Sequence, residues 1–121
     1  MAIHKSTCHC GAVELALDMP NGPEEMRRCN CSMCSRRGAI VATVPQERLK
    51  VVKGADKLTL YQFNTNTAKH YFCSVCGIYT HHQRRSFPDT YGVNIACIEG
   101  VDPYNQENVL MSDGINHIRD R

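Results

Sequence analysis

A mainly β fold pinned together by bound metal is what this sequence predicts, and two observations carry the expectation. Turn-forming residues recur every few positions, and the apolar stretches between them are short, which suits strands rather than long helices. Seven of the eight cysteines also fall in three tight clusters: Cys8-His9-Cys10-Gly11, Cys29-Asn30-Cys31-Ser32-Met33-Cys34 and Cys73-Ser74-Val75-Cys76-Gly77. Such spacings place several sulfurs around a shared ion.

The elements follow in chain order. Residues 13–17 alternate at period two and read as a half-buried strand, closed by the dense turn cluster at 18–23. The one helical candidate is a single turn at 32–37, inside the central cysteine cluster. Residues 39–44 form a short, β-branched run stopped by Pro45, and residues 49–53 form another that ends at Gly54. Residues 58–63 alternate cleanly and stop at Asn64-Thr65-Asn66, a hairpin turn. Residues 69–72 lead into the third cluster and 78–82 lead out of it. A last strand is expected over 91–98, closed by Gly100 and Asp102-Pro103. The stretch from Tyr104 onward is polar. No repeat, low-complexity run or linker divides the chain, so residues 1–121 read as one domain.

At 121 residues with no Trp, three Phe and five Tyr, the chain can bury a real but modest core. Metal crosslinks would add to it, since metal-binding free energy is also folding free energy. A disulfide scaffold is the competing use of so many cysteines. Against it, residues 1–6 lack the apolar stretch of a secretory signal, and Cys-x-Cys pairs are poorly disposed to bond each other. A reducing, cytoplasmic compartment is therefore expected. No apolar run approaches membrane-spanning length, so no membrane partner is expected. The net charge of +2 is interspersed, with no continuous basic stripe or exposed aromatics, so nucleic acid is not expected either.

Clustered thiolates select zinc or iron–sulfur over hard cations, and these spacings fit none of the common ferredoxin patterns, which leaves zinc. Seven sulfurs divide naturally into four and three. A closed structural site takes four ligands, whereas a reactive one commonly takes three and keeps a position open. Gly11 and Gly77 each follow the second cysteine of a pair, where a tight wrap needs positive φ, so Cys8, Cys10, Cys73 and Cys76 look like partners in one closed site. Spacing leaves open another partition, a four-cysteine ribbon of Cys31, Cys34, Cys73 and Cys76. The remaining set, Cys29, Cys31 and Cys34, could cap one face of a second ion. A fourth ligand such as His9, His81 or His82 would close that site and make it inert. His81 and His82 alternate across a strand, so at most one faces it. His9 is expected to point outward, Tyr61, Tyr71 and Tyr79 to be core and sheet-face residues, and Cys97 to be a small buried hydrophobe away from every cluster.

With the three clusters in this order, the chain resembles the glutathione-dependent formaldehyde-activating enzyme (GFA) family. Residues 58–63, Gly92-Val93-Asn94-Ile95 and Asp102-Pro103 add softer matches. The resemblance implies a zinc-containing β-tent fold of the Mss4-like kind with two zincs per chain. It assigns Cys8, Cys10, Cys73 and Cys76 to a structural zinc and Cys29, Cys31 and Cys34 to a catalytic one. The implied activity is that of a carbon–sulfur lyase, joining the thiol of glutathione to formaldehyde as S-hydroxymethylglutathione, so the partners are a small-molecule thiol and an aldehyde. Arg36 and Arg37, and with them Arg84 and Arg85, would hold the carboxylates of a peptide-like thiol by bidentate pairing. The rival is a non-catalytic, zinc-stabilised protein-binding module of the same fold.

Overall fold

The computed structural model of the chain describes residues 2–63 and 65–113. Asn64 of the expected 64–66 turn and residues 114–121 of the C-terminal stretch lie outside the described residues. The elements are β1 (Ile3–Thr7), β2 (Glu14–Asp18), β3 (Arg27–Cys29), α1 (Ser32–Arg37), β4 (Val41–Pro45), β5 (Leu49–Lys53), β6 (Leu58–Tyr61), β7 (Lys69–Cys73), β8 (Tyr79–Gln83), β9 (Thr90–Asn94) and β10 (Leu110–Ser112). This is the mainly β architecture expected, resolved into two sheets. One has three strands in the order β1-β2-β5, and the other has seven in the order β10-β3-β4-β9-β8-β7-β6. Every pairing is antiparallel except that of β10 with β3.

The period-two pattern of β2 does what alternation dictates. Leu15 and Leu17 turn inward and are fully buried with Val13, while Glu14, Ala16 and Asp18 face out. They share one core with Ala42 and Val44 of β4, Val93 of β9, and Ile95 and Ile98 beyond it. Cys8 and Cys73 belong to the same buried cluster, so the first metal set grows directly out of the apolar core.

Three strands escaped the sequence reading, and each lacks an apolar face. β1 buries only Ser6, β3 is Arg27-Arg28-Cys29, and β10 buries none of its three residues. Pairing, not patterning, makes them strands: β1 lies along all of β2, and β10 adds in parallel to β3 with Leu110 opposite Arg27 and Ser112 opposite Cys29. The strand expected over 91–98 is shorter than predicted. The Asn94 side chain accepts a hydrogen bond from the Ala96 amide at 3.1 Å and turns the chain into a 3-10 turn, Ile95–Cys97.

α1 forms where predicted. Six residues are too few for an autonomous helix, so its ends must be tied. Cys31 caps the N-terminus by accepting the Cys34 amide on sulfur at 3.3 Å, and Gly38 closes the C-terminus at φ 68°, donating to the Cys34 carbonyl. Arg36 and Arg37 in the last turn complement the dipole.

Candidate metal centres and an adjoining cleft

β1 ends at Thr7 and hands the chain to Cys8 and Cys10. β7 ends in Cys73, and its turn into β8 carries Cys76. The sheets thereby bring together sulfurs 63 residues apart: Cys8 and Cys10 lie 3.7 Å from each other, and Cys10 lies 3.8 Å from Cys73. Four thiolates at about 2.3 Å around a tetrahedral zinc are separated by about 3.8 Å, so the donor set and its spacing fit that ion. All four sulfurs lie within 4.8 Å of one another. Gly11 (φ 80°) and Gly77 (φ 79°) supply the left-handed turns that let the chain double back around them.

Backbone amides point at the sulfurs. Val13 donates to Cys8 at 3.3 Å and Val75 to Cys73 at 3.4 Å. Amides of Cys10 and Ile78 draw the Cys76 thiol down to about 6. Burial opposes the same effect at Cys8, but the Val13 amide and the thiols of Cys10 and Cys73 still lower it. Cys10 goes the other way: the Ala12 amide lowers it, yet desolvation and the three neighbouring sulfurs push it up to about 11. Four thiols this close compete for negative charge, which a divalent cation would relieve.

The second set is local. Cys29 ends β3, Cys31 caps α1 and Cys34 sits in its first turn, all half-buried and within 4.8 Å of one another. Among the described residues no fifth histidine, cysteine or carboxylate joins the first set and no fourth joins the second. His9 is exposed, His81 is buried elsewhere in its sheet, and His82 stays outside the ligand group. The ribbon-like alternative partition is not formed, because Cys73 and Cys76 stand with Cys8 and Cys10. The thiol of Cys34 is pushed far up, first by Cys29 and then by burial, while the Arg37 guanidinium opposes both.

These three cysteines line a cleft of about 160 Å³. Its cationic lining is Arg27, Arg37, Arg84 and Arg85, and its ring-bearing lining is Phe63, His70 and His82. β3 supplies Arg27, whose Nη1 donates to Ser112 Oγ of β10 at 3.5 Å. Burial, then the charge of Arg27, lowers the pKa of Arg84, with Glu25 opposing. Arg36 does not line the cleft; its Nη1 turns back to the Ser32 carbonyl at 2.8 Å.

His70 and His82 face each other across β7 and β8 and stack at 5.2 Å between ring centroids. His70 in turn stacks on Phe63 at 5.7 Å. Burial, with the Arg37 charge second, lowers the His70 pKa to about 4. Burial likewise holds His82 well below its ordinary value. Arg37 Nη1 donates to His70 Nδ1 at 3.2 Å, which leaves the proton of the neutral ring on Nε2. Tyr79 is buried, and its hydroxyl lies 2.6 Å from His82 Nδ1.

Spacing gave no sign of His70, Arg27 or Phe63 as cleft residues, and it offered His82 only as a fourth metal ligand, whereas His82 lines the cleft without joining the ligand group. Counting outward from the Cys73–Cys76 turn would have put His70 opposite His82, but only if the hairpin register were known. Cys97 requires a correction. It sits half-buried in the 3-10 turn after β9, its sulfur 3.6 Å from the Tyr79 carbonyl. Its thiol is raised to about 11 by burial and then by the charges of Cys8 and Cys76, so it is a neighbour of the first centre and not remote from every cluster.

Fold and site together define a two-sheet β protein with two cysteine groups able to hold metal ions, one fourfold and one threefold, the latter lining a cationic cleft. The chain belongs to the glutathione-dependent formaldehyde-activating enzyme family, whose model matches residues 3–111. It is 31% identical over 80 residues to a Halomonas elongata protein provisionally named a glutathione-dependent formaldehyde-activating enzyme. That match covers 60% of this chain and only 50% of the Halomonas protein, so the chain spans about half the length of that relative. It also matches the crystal structure of a Rhodobacter sphaeroides protein with a TM-score of 0.84 and 59% identity, covering 89% of this chain and 99% of that one.

Proposed function

We propose that this chain is a zinc-dependent enzyme of the carbon–sulfur lyase type, adding a thiol such as glutathione to formaldehyde or another small aldehyde. The observation that carries the reading is the three-cysteine group opening on a cleft walled by arginines and neutral histidines. A zinc ion held by Cys29, Cys31 and Cys34 would supply a Lewis-acidic position that favours the thiolate of a bound thiol near neutral pH.

The chain's own side chains do the rest. Arg27, Arg84 and Arg85 on the cleft wall hold the carboxylates of a peptide-like thiol, a role for which Arg36 is badly placed. Apolar Phe63, Ala39 and Val41 exclude water from the reacting end. The thiolate sulfur attacks the carbonyl carbon, an S–C bond forms as the C=O π bond breaks, and the oxygen takes up the proton the thiol gave up. His70, carrying its proton on Nε2, stabilises the developing alkoxide by hydrogen bonding. Much of the gain is proximity, since the uncatalysed addition already proceeds. Cys8, Cys10, Cys73 and Cys76 hold the second, structural zinc. Seven of the eight cysteines are grouped as metal ligands rather than bridged, a use of sulfur that suits a reducing, cytoplasmic setting.

The test is zinc analysis together with exchange NMR of the hemithioacetal formed from glutathione and formaldehyde. Two zincs per chain, and exchange faster than the uncatalysed background that falls to background in Cys34→Ser, are expected. Equal exchange with wild type and Cys34→Ser would leave a zinc-stabilised binding module as the better description.

A further inference from the structure

We infer that Arg37 is a positioning residue for the three-cysteine centre, fixing Cys34 through an N–H···S hydrogen bond and tying α1 to β7 and β8, and is not a ligand for substrate carboxylates. The inference rests on the reading that this centre holds a metal.

The guanidinium is already spoken for. Nη2 donates to Cys34 Sγ at 3.3 Å and Nη1 to His70 Nδ1 at 3.2 Å. Its face lies 3.5 Å over the centroid of the Tyr79 ring, a cation–π contact in a buried setting. Nε is buried without a partner. Bidentate recognition of a carboxylate needs two parallel N–H groups on one edge, and each edge of this fork has a group committed or sealed off. Arg27 and Arg84 are different: both line the cleft, and the charge of Arg27 works against that of Arg84, with Glu25 opposing. An incoming carboxylate relieves that repulsion.

The partners of Arg37 are themselves immobilised. Tyr79 is held by His82 at 2.6 Å, and His82 is clamped between His70 and the backbone of β9. At Gly92 a Cβ would come within 2.4 Å of His82 Cε1, so the ring occupies the space that glycine leaves. A continuous chain of contacts thus runs from Gly92 through His82 and Tyr79 to Arg37 and Cys34. Hydrogen bonds of this outer kind orient metal ligands and withdraw charge from them, and losing one costs on the order of 10–100-fold in metal affinity or activity.

The test compares wild type with Arg37→Gln, Arg37→Lys and Arg84→Gln by chelator competition, by cobalt substitution and by kinetics. The thiols are glutathione and 2-mercaptoethanol, which lacks carboxylates. For Arg37→Gln, the second metal is held about 10–100-fold more weakly while the first is retained. The sulfur-to-cobalt charge-transfer band moves to lower energy, and kcat falls equally for both thiols with KM for glutathione unchanged. Arg37→Lys keeps the charge but restores neither the band nor kcat, because an ammonium cannot fork and stack. Arg84→Gln raises KM for glutathione alone and leaves metal affinity unmoved. If Arg37→Gln binds metal as wild type does and raises KM for glutathione only, Arg37 is a carboxylate ligand and the inference is wrong. A wild type holding a single metal overturns the parent reading as well, whereas two metals indifferent to residue 37 overturn this inference alone.

Discussion

Exchanging one sulfur for oxygen in each cysteine group separates a clasp from a working site. In Cys76→Ser the lost ligand belongs to the centre that joins the end of β1 to the β7–β8 hairpin, across 63 residues between Cys10 and Cys73. Treated as a crosslink, a loop of that length removes about 4 kcal/mol of chain entropy from the unfolded state, whereas the six-residue span of Cys29 to Cys34 removes only about 2 kcal/mol. The clasp also sits in the core, with Cys8 and Cys73 almost fully buried, while all three sulfurs of the other group are half-exposed. With a total stability of about 5–15 kcal/mol, losing the clasp consumes between about a quarter and four-fifths of the margin. At about 4 °C per kcal/mol for a domain of this size, Cys76→Ser should melt at least about 15 °C below wild type. Cys34→Ser should melt within about half that drop and lose one metal per chain. Thermal unfolding followed by circular dichroism, paired with metal analysis of the folded fraction, reads both. Equal losses in the two variants would refute the division into a structural and a functional centre.

Other outcomes follow from single contacts. Gly54→Ala would place a Cβ 1.9 Å from the Ala12 carbonyl oxygen at a φ of +81°, so a loss of roughly 3 kcal/mol or more in denaturant titration is expected. Leu17→Ala empties a fully buried position of β2 and should cost about 2–5 kcal/mol by the same measurement. Burial holds His81 down to about 4, below its unfolded value of about 6.5. The unfolded chain therefore takes up a proton first as pH falls, and stability contributed by the neutral ring is full above pH 6.5 and lost progressively towards pH 4. That window is worth about 3 kcal/mol, so His81→Phe, which keeps the stacking on Tyr71, should show a shallower loss between those pH values than wild type. Mild chelation should remove the metal of the half-exposed centre first, leaving the circular dichroism spectrum unchanged and the exchange reaction at background.

Residue pattern alone reached a good part of this molecule. The alternation of residues 13–17 fixed which face of β2 is buried, because one side chain in two must point inward. The helix at Ser32–Arg37 was legible because capping groups and cysteine spacing are local. The pairing of Cys8 and Cys10 with Cys73 and Cys76 was legible from the two Cys-Gly endings, a local demand for positive φ that both knuckles share. β1, β3 and β10 were not, since their stability comes from partners far along the chain and their side chains carry no apolar period.

The cleft was the least visible part, and the reason is geometric. Arg27, Phe63, His70, and the pair His82 and Arg84 come from four different segments, and only strand register in the seven-stranded sheet sets them around one space. Ligand type, ligand count and the chemistry of thiolate follow from composition and short spacings, so the sequence determined that this protein is a β domain with cysteine groups able to hold metal ions. Which arginine meets a sulfur and which meets solvent depends on angles and distances accumulated across many residues, and tertiary packing alone decided it.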